Sequence, residues 1–168
     1  MKVRYGFVTN SSSSSFVIAF KDKNAIAEDV EHIFANCPCD FSIGAMTSEE
    51  IVEHAKANLL RDIERDHITI KELRKKLREE FSMTARRIYY YNTRKFYTEG
   101  REYLESDEYK KLANDYIESE MAKVLKQLEG KDYVVYTSFS DNDGCIGSYM
   151  EHDVMPRAKN TICSFSHH

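Results

Sequence analysis

Hydrophobic positions along the chain fall into three regimes. Near the start Val3, Tyr5 and Phe7 alternate with polar residues, and Phe16-Val-Ile-Ala-Phe20 is a short continuous run of β-formers, a pattern that predicts two strands around the intervening serines. The second regime is helical. Ile26, Val30, Ile33 and Phe34 share one face of a helix predicted from a cap at Asn24 to about Asn36. Cys37 to Met46, with Pro38, Asp40 and Gly44, reads as loop. Thr47-Ser-Glu-Glu50 has capping-box spacing and opens a helix with Ile51, Ala55, Leu59 and Ile63 inward. A second box, Thr69-Ile-Lys-Glu72, opens another carrying Leu73, Leu77, Phe81 and Ile88. Gly100 interrupts the pattern and Ser106 restarts it. Tyr109, Leu112, Ala113, Tyr116, Ile117, Met121, Val124 and Leu128 then hold the period until Gly130 closes the helix.

The third regime begins after Gly130. Tyr133-Val-Val-Tyr-Thr-Ser-Phe139 is continuously apolar enough to predict an interior strand. A turn cluster at Ser140 to Gly144, a short helix from Ser148 to about Ala158 and a strand at Thr161-Ile-Cys-Ser-Phe165 complete a βαβ unit, whose two strands are expected to be parallel. The predicted fold is α+β (or α/β). A small sheet is built from both chain termini, with the C-terminal βαβ unit and a large helical insertion between, in a single domain over 1–168. Residues 1–20 and 131–168 form the sheet region and 24–129 the mainly helical insertion.

Composition narrows the function classes. The chain has 168 residues and a formal charge of -4, from 24 Lys and Arg against 28 Asp and Glu, which argues against a uniformly basic nucleic-acid binder. No apolar run approaches the roughly 20 residues of a bilayer span, and the N-terminus lacks the pattern of a signal peptide. The expected location is therefore the cytoplasm, in a bacterial host cell on the resemblance given below. Cys37, Cys39, Cys145 and Cys163 are then expected to be reduced. The single residue between Cys37 and Cys39 suits neither a zinc knuckle nor a redox pair, so loop and core cysteines are the expectation.

The serines Ser11, Ser12, Ser13, Ser14 and Ser15, with Asn10 before them, lie between apolar strands rather than between domains. A serine tract is ordinarily a flexible linker. In a tight loop its hydroxyls and N–H groups would instead cradle a phosphate or another anion. The string Gly6-Phe-Val-Thr-Asn-Ser-Ser-Ser-Ser-Ser-Phe16 resembles an N-terminal signature of uncharacterised bacteriophage and bacterial proteins, whose common form is close to GFVSNSSSSSF. Thr9 departs from the commoner Ser. The resemblance covers about the first sixteen residues and implies phage or mobile-element ancestry rather than a chemistry.

Two further stretches carry candidate chemistry. Asp141 and Asp143 follow the predicted strand, and Glu151-His152 and His167-His168 lie close in sequence. Asp141, Asp143, His152 and His167 are the candidate ligands of a divalent metal at the carboxyl edge of the sheet, where open sheets place ligand sites. If the first strand runs parallel to the other two, the serine loop joins them there. The competing reading is an Asp-rich turn that caps the next helix. The second stretch, 86–101, is the one basic run and interleaves cations with rings. Arg86, Arg87, Tyr90, Tyr91, Arg94, Lys95, Tyr97 and Arg101 are candidate contacts to a protein partner or to single-stranded nucleic acid. A helix that packs its tyrosines inward and snorkels its arginines is the competing structural explanation.

These features converge on a small phage- or mobile-element-type accessory protein, a binding or interference module for a host protein or a phosphate-bearing ligand. A metal-dependent phosphoester hydrolase is the alternative, and a single-stranded nucleic-acid binder the second. No serine, cysteine or histidine is marked as an activated nucleophile, so a non-enzymatic role is the leading expectation.

Overall fold

The computed structural model describes residues 13–37, 39, 46–93 and 102–167. Among these, five α-helices and a three-stranded antiparallel sheet give an α+β fold with strands from both chain ends and helices inserted between. β1 is Ser13–Phe20, β2 is Tyr133–Ser140 and β3 is Thr161–Ser166, in the order β2-β1-β3. β1 is antiparallel to both neighbours. β2 and β3 therefore point the same way, as a βαβ reading requires, but β1 lies between them instead of beside the pair. The interior strand is thus β1, buried along both faces from Ser14 onward, and β2 is an edge. The apolar run of β2 has a local cause. His67 bridges to Val135, and the Tyr136 N–H donates to the Asp66 carbonyl at 3.2 Å, so the outer edge of β2 is partly covered by chain following a helix.

The chain divides into two compact units. One holds the sheet, α1 (Ile26–Ala35), α2 (Ser48–Arg65) and α5 (Gly144–Tyr149). Its core joins Phe16, Ile18 and Phe20 of β1 to Val30, Ile33 and Phe34 of α1, and to Ile51, Ala55, Leu59 and Ile63 of α2. The four α2 residues are wholly buried at the expected i, i+4 spacing. Each large aliphatic among them contributes about 1.5–3 kcal/mol by leaving water. The Thr47–Glu50 capping box is formed in both directions. The expected Asn24 cap is not formed: Asp22 Oδ1 accepts from the Asn24 and Ala25 N–H groups and caps the 3-10 turn Lys23–Ala25, which leads directly into α1 with Ala25 at its N-cap. α1 and α2 belong with the sheet, so the separate helical insertion is residues 68–129.

The other unit is the antiparallel pair α3 (Ile70–Thr93) and α4 (Asp107–Gln127). The Thr69–Glu72 box and the Ser106 cap start these helices as expected. The buried stripe of α3 is Leu73, Leu77, Phe81, Ala85 and Tyr89. Ile88, which the spacing places inward, is only half-buried because Ala85 and Tyr89 hold the inner face. Tyr89 stacks on Tyr103 and meets Tyr109 edge-on, which is how this pair of helices absorbs its tyrosines. No helix among the described residues is long and apolar enough to cross a membrane.

Candidate functional site

Antiparallel pairing brings the start of β1 to the carboxyl ends of its neighbours. Ser13 faces Ser140, Ser14 faces Phe139 and Ser166, and Ser15 faces Ser138 and Phe165. The described serines reach this edge because they open a strand that runs against β2 and β3, not parallel to them. Ser13 to Ser15 are strand residues and not a loop. The Ser14 and Ser15 hydroxyls are taken up on opposite faces, as the pleat requires.

On the face that meets the helices, the Ser14 hydroxyl donates to Glu151 Oε1 at 2.7 Å. Glu151 is buried, its side chain 1% exposed. It lies in a π-helical turn, Met150–Val154, that continues α5. Such widened turns recur at functional sites because one extra residue per turn redirects neighbouring side chains. Here the turn sends Glu151 inward and leaves His152 half-exposed beside it. His152 Nε2 stands 3.1 Å from Asp141 Oδ1 and 3.9 Å from Glu151 Oε2. One ligand atom from each of Asp141, Glu151 and His152 lies within 4.8 Å of the others. Two atoms bound at about 2.1 Å to one cation, at right angles, sit about 3 Å apart; the Asp141–His152 spacing matches that, and the His152–Glu151 spacing exceeds it by about 1 Å. Two carboxylates with one imidazole favour Mn²⁺ or Zn²⁺ over the all-oxygen shell that Ca²⁺ and Mg²⁺ prefer.

On the opposite face Ser15 Oγ is 2.9 Å from both Ser138 Oγ and His167 Nε2, and the His167 N–H donates to the Ser13 carbonyl at 3.0 Å. His167 is thus placed with Ser15, away from Asp141. Asp143 also departs from the expected ligand set: the three-residue turn Asp141–Asp143 points it into a cleft against α2. The four candidate ligands therefore split, with Asp141 and His152 together and Asp143 and His167 each elsewhere. Glu151 takes the third position. The turn is set by Gly144, whose φ of +73° is open to glycine and costly for other residues. Gly147 packs so closely on the end of β2 that a Cβ there would lie 2.3 Å from the Ser140 carbonyl oxygen.

Among the described residues Cys37, Cys39, Cys145 and Cys163 form no disulfide, and none joins a metal-ligating group. Cys37 is buried, with its thiol pushed up by that burial, and its carbonyl accepts from the Tyr149 hydroxyl at 2.5 Å. Of the remaining candidates, Asn10, Ser11 and Ser12 lie outside the described residues, as do Arg94, Lys95, Tyr97 and Arg101. Arg86 and Arg87 are exposed on α3, Tyr90 is half-buried and packs edge-on against Tyr91, and Tyr91 is 73% exposed.

No family model, curated protein or solved structure matches the chain.

Proposed function

We propose that the chain is a ligand-binding module whose working surface is the carboxyl edge of its sheet. There it captures a phosphate-bearing ligand through a divalent cation held by Asp141, Glu151 and His152. The observation that carries this reading is the buried Glu151 carboxylate, oriented by Ser14 and facing an imidazole–carboxylate pair within coordination reach. Burying the charge of a carboxylate costs free energy that hydrogen bonds such as the one from Ser14 offset in part. A cation would neutralise it and leave positions open to phosphate oxygens, which are hard ligands of the same kind. The resemblance of residues 6–16 to phage and bacterial proteins supports an accessory role in that setting.

Calorimetric titration of phenyl phosphate tests the reading. Binding is expected with Mn²⁺ present, and its loss with EDTA or in Glu151→Gln. Phosphate binding that ignores both treatments contradicts it. The same three residues would serve a phosphoester hydrolase. His152, half-exposed beside Asp141, is placed to move a proton, so release of p-nitrophenol from p-nitrophenyl phosphate under the same conditions would turn the module into an enzyme.

A further inference from the structure

The cleft between α2 and the β2–α5 junction has a volume of about 410 Å³, at the lower end of the roughly 300–1,000 Å³ of small-molecule pockets. Four charged side chains line it: Arg61, Asp62 and Arg65 from α2, and Asp143 from the turn after β2. Two of these satisfy each other. Arg65 pairs with Asp62 at 2.9 Å and with Asp66 at 2.8 Å. Arg61 and Asp143 are left over. Among the described residues Arg61 hydrogen-bonds only the Ala57 carbonyl and the Asn58 amide oxygen of its own helix, and it feels the neighbouring Asp62 charge without forming an ion pair with it. Asp143 makes no ion pair among the described residues. Both are exposed, and they look onto one cleft without reaching each other. Phe139, Ile146 and Met150 supply apolar lining to the same cleft.

We propose that this cleft binds a small zwitterion, an α-amino acid with an apolar side chain. Its carboxylate sits on the Arg61 guanidinium, its ammonium on Asp143 and its side chain against Ile146 and Met150. A guanidinium fork matches a carboxylate in plane and spacing. A phosphate would meet the same cation but also two carboxylates, and a simple amine would face two guanidinium groups. Only a ligand carrying both signs answers Arg61 and Asp143 together. The cleft shares the Asp141–Asp143 turn with the cation cluster but none of its ligating side chains, so it does not depend on a metal.

Calorimetry of the full chain with L-leucine tests the assignment, using 4-methylpentanoate, which lacks the ammonium, and 3-methylbutylamine, which lacks the carboxylate. Leucine is expected to bind saturably, and each analogue at least about tenfold more weakly, since each leaves one charged group unanswered. Arg61→Gln and Asp143→Asn should each weaken leucine by a similar factor, with Arg61→Lys intermediate. Both positions are exposed, so melting curves should stay close to wild type. Glu151→Gln and EDTA should leave leucine binding unchanged, which separates this site from the cation cluster. Absence of saturable heat with leucine overturns the proposal. So does equal affinity for the singly charged analogues, or wild-type affinity in both Arg61→Gln and Asp143→Asn.

Discussion

Replacing Ser14 by Ala removes the hydroxyl that donates to Glu151 at 2.7 Å and changes little else. Both groups are buried, and the acceptor is a carboxylate side chain only 1% exposed. A hydrogen bond to a charged group contributes about 1.5–3 kcal/mol, and a buried carboxylate deprived of a donor keeps its desolvation cost. The expected loss is therefore about 2 kcal/mol. For a chain of this size it lowers the melting temperature by about 4–8 °C, at about 2–4 °C per kcal/mol. Urea unfolding followed by circular dichroism should show a lower midpoint at unchanged slope. Ser13 supplies the control: it sits one residue earlier in the same strand, half-buried, and its hydroxyl makes no hydrogen bond among the described residues. Ser13→Ala should stay within about 0.5 kcal/mol of wild type. In a Glu151→Gln background the Ser14→Ala loss should shrink by about 1 kcal/mol, the coupling expected of contacting groups. A Ser14→Ala loss under about 0.5 kcal/mol, or strict additivity with Glu151→Gln, would refute the claim that Ser14 positions the carboxylate.

Burial, with Cys39, Cys37 and Asp153 alongside, pushes the Tyr149 hydroxyl up to about 12 from its ordinary 10. The folded state thus favours the neutral phenol, and stability that is full below about pH 10 falls toward pH 12 by up to about 1.4 kcal/mol per pH unit; Tyr149→Phe should flatten this alkaline fall in urea midpoints, and an identical fall in both proteins would contradict it. Gly147→Ala, with its new Cβ against the Ser140 carbonyl, should destabilise by about 2–4 kcal/mol in the same assay, whereas a change under about 1 kcal/mol would mean that α5 shifts freely on β2. Replacing Arg86, Arg87 and Tyr91 together by Ala should leave the melting temperature within a few degrees, because exposed side chains contribute little. If α3 carries a partner surface, that triple variant should lose binding to it, and unfolding of the variant would show these residues to be structural.

Much of the scaffold is legible in the chain because its signals are local. The capping boxes at Thr47 and Thr69 and the Ile51, Ala55, Leu59 and Ile63 stripe are complete within a few turns of sequence, and the structure reproduces them. β2 and β3 are legible for the same reason. The extension of β1 back to Ser13 is not, because serine carries no hydrophobic signal and becomes strand only by pairing with residues more than a hundred positions later. Strand order is equally non-local: a continuous apolar run reads as an interior strand, yet β2 is an edge whose outer side is met by the chain after α2. The candidate site divides along this line. Asp141 and His152 could be singled out as chemistry near a sheet edge. Glu151 takes its role from a π-helical turn and from Ser14, 137 residues away. Asp143 is one residue from Asn142, yet the turn at Ser140 aims it away from Asp141, and no spacing rule reports that.

Titration with Mn²⁺ shows whether Asp141, Glu151 and His152 hold a divalent cation. The readout is the electron paramagnetic resonance signal of the free ion, which fades as the ion is bound. One saturable site per chain is expected in the wild-type protein, abolished in Glu151→Gln and strongly weakened in His152→Ala, with Asp143→Asn and His167→Ala binding as wild type. A free-ion signal that persists in the wild-type protein, or a bound ion that survives Glu151→Gln, would contradict it.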